Sequence, residues 1–320
     1  MPEFDPLATS EQVIEAFSPQ VKGRTFVITG AGQPSIGSQM ATTLAKAAPA
    51  HILIASRTGS KVDPVLAAIK EIDSSIKATF VQVDLSDHDS VRRAAKDILA
   101  AAPKIDVLIN SAGVMAIKEF TVDKQGIEMQ LSANHVGHFL LTNLLVPALL
   151  ASGSPRVVNL TSSGYKITPF RFDDWNFSDG KEYDMWSGYG QAKCANVLFS
   201  YGLTKRLKSR GLASVAAHPG YNNDTQLGSH LTWDDYKEIF PAMKRNTGRD
   251  FEFEEPRFKT FTQIAATPLI AALDPEISAK APAYLENSRI TAADEHACDD
   301  ESVEKLWKVS EKLVGQEFSY

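Results

Sequence analysis

A chain of 320 residues with 43% hydrophobic and 22% charged residues can fill one large α/β core. Its net charge of −6 argues against a nucleic-acid or anionic-membrane partner, either of which would require clustered Lys and Arg. Two cysteines, Cys194 and Cys298, make neither a disulfide framework nor a thiolate metal site.

The first ten residues carry Pro2, Glu3, Asp5 and Pro6 and do not read as a signal peptide. Thr9-Ser10-Glu11-Gln12 is a capping box opening a short helix with Val13, Ile14, Ala16 and Phe17, so residues 1–20 are expected to form a helical extension. Strands are then expected at 24–29, 51–55, 78–83, 105–110, 156–160 and 213–217. Helices are expected at 36–48, 61–72, 88–101, 123–150, 188–210 and 301–314. The most apolar run, residues 139–151, is interrupted by Thr142, Asn143 and Pro147, so no membrane span is expected. A cytoplasmic protein is the expectation.

Apolar strands separated by helices of ten or more residues imply a parallel sheet covered on both faces. With right-handed crossovers this is a Rossmann-type, doubly wound α/β fold of about seven strands, formed by residues 1–320 as a single domain. Residues 221–262, rich in aromatics, are expected to form a substrate-binding lid.

Strand 24–29 runs into Gly30-Ala31-Gly32-Gln33-Pro34-Ser35-Ile36-Gly37 and then a helix. Such a turn presents free N–H groups at a helix N-terminus, where this fold seats a dinucleotide pyrophosphate. A tight turn with no ligand is the competing reading. The second strand ends at Ala55-Ser56-Arg57-Thr58. An acid there would bond a ribose 2′-hydroxyl, whereas an arginine suits a 2′-phosphate, so Arg57 points to NADP(H) over a merely solvated loop arginine. Asp84-Leu85 is placed to flank the adenine and Asn110-Ser111-Ala112-Gly113 to border the ribose, both at carboxyl ends of strands.

Tyr189-Gly190-Gln191-Ala192-Lys193 sets a tyrosine and a lysine on one helix face. A free phenol is a poor base at neutral pH. A neighbouring ammonium, and the positive ring of an oxidised nicotinamide, would lower its pKa toward the working range. Carbonyl reduction needs such a group to protonate the developing alkoxide. Ser162, just past the fifth strand, is placed to bond the same oxygen, with Ser163 as its competitor. Asn134 is a candidate anchor for a water relay to Lys193.

Together these motifs resemble the short-chain dehydrogenase/reductase superfamily, within it the retinol-dehydrogenase-like and WW-domain-oxidoreductase-like branch common in fungi. The resemblance rests on Thr29-Gly30 with Ile36-Gly37, Asp84-Leu85, Asn110-Ser111-Ala112-Gly113, Asn134-His135-Val136-Gly137-His138-Phe139, Val157-Val158-Asn159-Leu160-Thr161-Ser162-Ser163, Tyr189 to Lys193 with Asn196-Val197-Leu198-Phe199, and His218-Pro219-Gly220. It spans about residues 21–220, with a weaker echo over 284–315. It implies a tetrad of Asn134, Ser162, Tyr189 and Lys193, with tyrosine as acid/base, serine as substrate-oxygen ligand and lysine as ribose ligand and pKa modulator. The cofactor site it implies comprises Gly30, Gly32, Ser35, Ile36, Gly37, Arg57, Asp84, Leu85, Asn110, Ala112, Gly113, Tyr189, Lys193, Pro219, Gly220 and Thr225, with NADP(H) as cofactor and no metal. Members of the family often dimerise through the helices corresponding to 123–150 and 188–210. Two departures stand out. The glycine turn is one residue longer than the family pattern, with Ser35 in place of its middle glycine, and Asp224 precedes Thr225 where the family threonine is expected.

Other residues invite rival readings. Tyr201 and Lys205 repeat the Tyr-Lys spacing but lie roughly 18 Å further along the helix, so they are read as packing and surface. Tyr165 is expected to be a pocket wall. His135 and His138 lack a third ligand and are read as packed, hydrogen-bonded histidines; Cys194 is read as a packed residue. Phe170, Phe172, Trp175, Phe177, Tyr183 and Trp186, with the aromatics of 221–262, are expected to flank the substrate, as core packing or as walls of an apolar pocket for a hydrophobic ketone or alcohol. The leading expectation is NADP(H)-dependent carbonyl reduction or alcohol oxidation of a small molecule. Non-redox isomerisation, dehydration or cyclisation by the same tetrad stays open. A non-catalytic NADP(H)-binding regulator is disfavoured by the presence of both Tyr189 and Lys193.

Overall fold

Strands with apolar residues at consecutive positions need cover on both faces. In the computed structural model, which describes residues 2–320, they have it. The strands are β1 (Thr25–Thr29), β2 (His51–Ser56), β3 (Lys77–Gln82), β4 (Val107–Asn110), β5 (Arg156–Leu160), β6 (Ala213–Ala217), β7 (Ala283–Glu286) and β8 (Arg289–Thr291). They form one sheet in the order β3-β2-β1-β4-β5-β6-β7-β8. All neighbours are parallel except β7 and β8. The sheet therefore has eight strands rather than about seven. The last is an antiparallel return through Asn287 and Ser288, both at positive φ, a pair too short to show an apolar period.

The helices are α1 (Ser10–Phe17), α2 (Ile36–Ala45), α3 (Gly59–Ile72), α4 (His88–Ala101), α5 (Met129–Leu131), α6 (Gly137–Leu150), α7 (Met185–Leu207), α8 (Trp233–Lys237), α9 (Ile239–Thr247), α10 (Phe261–Leu273), α11 (Glu276–Lys280) and α12 (Asp300–Val314). Alternation along the strands feeds two cores. Val27, Leu53, Leu108 and Val157 point to the face covered by α4, α6, α7 and α12. Phe26, Ile28, Ile52, Ile54, Val107, Ile109 and Val158 point to the face covered by α2, α3 and α10. The N-terminal capping box forms as expected, with Thr9 as N-cap and Gln12 reciprocating, and α1 packs on α10 and α2. No described helix is long and apolar enough to cross a membrane.

The expected helix over 123–150 is interrupted. Asp123 Oδ1 accepts the amides of Gln125 and Ile127, which turns the chain there. Glu128 then caps α5 with both carboxylate oxygens on the Gln130 and Leu131 amides. A π-turn over Ser132–Val136 precedes α6. Polar side chains thus divert a segment whose apolar period reads as one helix. Helix ends also differ, with α2 stopping at Ala45 and α7 starting at Met185 because Asp184 caps it through the Trp186 and Ser187 amides, and the helices α8, α9, α10 and α11 are not among those expected.

Gly30 ends β1 at φ +71°, and a Cβ there would lie 2.5 Å from the Ala112 Cα. Gly23 has the same φ of +71° with nothing within 4 Å. Gly30→Ala is expected to cost about 2–5 kcal/mol, left-handed strain plus overpacking, and Gly23→Ala about 1–2 kcal/mol, strain alone. Urea unfolding of the two variants measures the difference. Equal losses would show that the Gly30–Ala112 approach relaxes freely.

Candidate active site

The strand order reverses between β1 and β4, and parallel strands bring their carboxyl ends to one edge of the sheet. A crevice opens at that point. The glycine turn forms one lip. Gly37 packs against Gly30, since a Cβ on Gly37 would come 2.8 Å from the Gly30 carbonyl oxygen. The additional residue in the turn is tied sideways, the Gln33 amide donating to the Lys61 carbonyl at 2.9 Å. Ser35 serves as N-cap of α2. Its Oγ accepts the Ser38 amide at 3.0 Å and donates to the Gly30 carbonyl at 3.1 Å. The side chain that breaks the family pattern is thus spent on the turn itself. The Ile36 and Gly37 amides, at the start of α2, take no acceptor among the described residues, which leaves them available to an anion.

One hydroxyl joins the two sides of the crevice. Thr29 Oγ1, at the end of β1, accepts the amides of Ser111 at 2.9 Å and Ala112 at 3.0 Å. It also lies 2.8 Å from His138 Nε2. Burial pushes the His138 imidazole down to about 4, so the ring is neutral at pH 7. Its Nδ1 faces the Asn134 carbonyl at 2.9 Å and must donate there, so Nε2 accepts from Thr29. Asn134, in the π-turn, bonds Val114 twice: Nδ2 donates to its carbonyl at 2.9 Å and Oδ1 accepts its amide at 2.8 Å. Its side chain therefore fixes the 111–114 loop. Gly113 lies between the two, its added Cβ 2.7 Å from Asn134 Oδ1 and 3.6 Å from Lys193 Nζ.

Tyr189 and Lys193 lie in the first half of α7, both buried, with Lys193 Nζ 5.6 Å from the Tyr189 ring centroid. The tyrosine ring fits over Gly164, where a Cβ would come within 2.9 Å of it. Burial pushes the phenol up to about 12, with a Ser162 hydrogen bond opposing. Burial pushes the Lys193 ammonium down to about 8; Nζ donates to the Leu160 carbonyl at 3.3 Å. In the protein alone, burial favours the neutral form of each group.

A cleft of about 450 Å³ opens over this pair. Of the residues expected to form the site, Ile36, Gly113, Ser162, Tyr189, Lys193, Pro219, Gly220 and Thr225 line it. Gly30, Gly32, Gly37 and Ala112 shape the turn behind it. Arg57 is exposed at the end of β2, and no carboxylate pairs with its guanidinium among the described residues. Asp84 accepts the Ser86 amide and hydroxyl, and Leu85 packs under α6 at Gly137. The Asn110 amide is turned inward, donating to Thr142 Oγ1 and Asn159 Oδ1.

Several side chains lie elsewhere than expected. Tyr165 is no pocket wall: it is fully buried against Tyr284 and His296, its hydroxyl accepting the Asp294 amide. Of the aromatics between 165 and 186, only Trp186 lines the cleft. Phe170, Phe172 and Trp175 pack toward α12, and Phe177 and Tyr183 pack on each other. From the segment 221–262, Tyr221, Trp233, Tyr236, Phe251, Phe253 and Phe258 line the cleft. The segment is fastened to the start of α7 by Trp186 Nε1 to Asp235 O at 2.7 Å and Arg245 to Asp184 at 2.6 Å. His135 bonds Ser310, Lys205 pairs with Asp300 and Glu304, and Cys194 is buried.

Sequence reasoning missed the places of Thr29, His218 and Glu254. Thr29 enters the sequence reading only within a motif, although a threonine ending a strand at the switch point is a signal in itself; His138 is the packed, hydrogen-bonded histidine expected. His218, also at the cleft, faces Glu254 of the lid at 2.9 Å. Tyr221 bonds Ser163. Glu254 lies in an irregular segment without a period, so nothing local points to it, whereas Tyr221 is among the aromatics expected to flank the substrate.

The short chain dehydrogenase family model matches residues 24–172. Retinol dehydrogenase 13 of Mus musculus is 32% identical over 92% of this chain and 85% of its own length. A crystal structure of an uncharacterized protein from Mycobacterium paratuberculosis superposes with a TM-score of 0.70 at 28% identity, covering 95% of this chain and 99% of that one. The fold is also that of a short chain dehydrogenase from Escherichia coli complexed with NADPH, with a TM-score of 0.62 at 20% identity over 85% of this chain and 99% of that one.

Lys193 binds its proton less tightly folded than unfolded: about 8 against 10.5. Between these values the unfolded chain holds more protons, so this group makes stability rise with pH. Lys193→Met is expected to abolish that rise and to be more stable than the parent at pH 7, by roughly 1–3 kcal/mol. Urea titrations below and above pH 8 measure it. A variant less stable than the parent at pH 7 would show that the bond to Leu160 outweighs burial.

Proposed function

The chain belongs to the short-chain dehydrogenase/reductase family, retinol-dehydrogenase-like, an oxidoreductase of small alcohol or carbonyl substrates, and we propose that it works with NADP(H) and with Tyr189 as its acid/base. The observation that carries this is the convergence of the Ser162 and Tyr189 hydroxyls with Lys193 in one buried cleft beside the glycine turn.

The residues present fit a nicotinamide dinucleotide phosphate. The free Ile36 and Gly37 amides suit the pyrophosphate, and the unpaired Arg57 suits a 2′-phosphate. Asp84 and Leu85 would flank the adenine, Ala112 and Gly113 the adjoining ribose, Tyr189 and Lys193 the nicotinamide ribose, and Pro219, Gly220 and Thr225 the carboxamide. When bound, the cofactor supplies or accepts a hydride. Tyr189 gives its phenolic proton to the substrate oxygen during reduction and recovers it during oxidation. Ser162 hydrogen-bonds the same oxygen and stabilises the charge that develops on it. Lys193, when protonated, favours the phenolate and so eases the transfer. Asn134 holds the loop carrying Gly113 at a fixed distance from Lys193. The aromatic lid keeps water from the reacting atoms and suits an apolar substrate.

Purified protein with NADPH and a panel of carbonyl compounds is expected to consume the nicotinamide absorbance. Tyr189→Phe is expected to lower kcat by roughly 10²–10⁴-fold while NADPH still binds. Turnover retained in that variant removes Tyr189 from the chemistry. Arg57→Ser is expected to weaken NADPH roughly ten- to a hundredfold and to leave NADH almost unaffected. Equal changes for the two nucleotides would remove Arg57 from phosphate recognition.

A further inference from the structure

Two consecutive serines follow β5, and each meets a different phenol. Ser162 serves Tyr189. Ser163 is hydrogen-bonded to the hydroxyl of Tyr221, the residue just past the Pro219-Gly220 turn. Tyr221 lines the same cleft as Tyr189. Burial, then the nearby Glu254 and Tyr189, hold its phenol in the protonated form, against the Ser163 bond.

The Tyr221 ring is fixed from two sides. His218 meets it edge-on with centroids 5.7 Å apart, and Phe253 does so at 6.0 Å. His218 is itself fixed, its Nδ1 accepting the Gly220 amide at 3.5 Å and its Nε2 lying 2.9 Å from Glu254. The hydroxyl therefore has one place to be.

The Ser163–Tyr221 pair carries two hydroxyl protons, and their mutual bond uses one of them. Neither hydroxyl makes any other hydrogen bond among the described residues. A donor left unpaired against an apolar wall is unfavourable. Of the two residues only Tyr221 lines the cleft, so when Ser163 donates to it the second proton, that of Tyr221, faces the cleft beside the site where Ser162 and Tyr189 would hold a reacting oxygen.

We propose that Tyr221 is a second oxygen-binding group of the pocket, and that the substrate carries a further hydroxyl or keto oxygen close to its reacting carbon. The class is an apolar, ring-bearing hydroxyketone or dione, or the corresponding diol. This rests on the oxidoreductase reading and narrows its substrate.

The test compares tetralone with its hydroxyketone and dione counterparts in the parent and in Tyr221→Phe, which keeps the ring and removes only the hydroxyl. The parent is expected to prefer the dioxygenated compounds. In Tyr221→Phe the ratio of kcat/KM for dioxygenated over mono-oxygenated ketone is expected to fall roughly three- to tenfold, the worth of one neutral hydrogen bond. An unchanged ratio, with all substrates affected alike, would reduce Tyr221 to a fastener of the lid and overturn the proposal. Calorimetry of the same compounds on the protein–NADPH complex gives a readout independent of turnover. If no ketone is reduced, the oxidoreductase reading fails by itself. The affinity ratio then decides the present proposal, which is overturned if parent and variant show the same ratio.

Discussion

Where the strand order reverses, one buried hydroxyl sets the geometry of the crevice. Thr29 accepts two amides of the loop after β4 and donates to a neutral histidine of α6. That histidine holds the Asn134 carbonyl, and the Asn134 side chain holds Val114. The loop is thus gripped at both ends, and Gly113 stands at a set distance from Lys193. Thr29, Asn134 and His138 are buried, so their polar groups are bonded where an unpaired group would be costly. The network ties the end of β1, the loop after β4 and α6 into one body, and the candidate cofactor surface lies along that body.

Desolvation governs the chemistry of the Tyr-Lys pair. Both groups lie on the buried side of α7, and burial moves each toward its neutral form. Proximity on a helix is therefore not enough to make a phenol acidic. In a site this dry, any added charge acts with little screening, so charge placed near the pair moves both groups strongly. The Leu160 carbonyl that orients Lys193 also accepts the Asn196 amide, so the end of β5 positions α7 as well as Ser162.

The lid is held by polar contacts at its two ends and packed by aromatics between them. Its first helix meets the start of α7 through Trp186 and Asp235. Its far end returns to the sheet through Lys259, which is buried, bonds Asn287, and runs its stem against Gly220. Gly220, at φ +95°, is the one residue type that admits both this backbone and that stem. His218 and Glu254 add a third tie beside the cleft. These contacts join residues 28 or more positions apart, and they decide which aromatics face the cleft.

The amino-acid sequence by itself determined the layered α/β architecture, because period-two and period-3.6 patterns are local and repeat through β6. It also determined the glycine turn, Arg57 at a strand end, and the Tyr189–Lys193 spacing, since each is a short motif whose chemistry needs only neighbours. Tertiary structure alone decided the rest. Asp123 and Glu128 broke an apolar helix with side-chain caps, β7 and β8 paired without a pattern long enough to see, and Asn110 turned its amide into the sheet. Tyr165 went to the core and Tyr221 to the cleft. The direction of the Tyr189 and Lys193 shifts also belongs to the fold, because burial is a sum over everything packed around a group and no spacing along one helix records it.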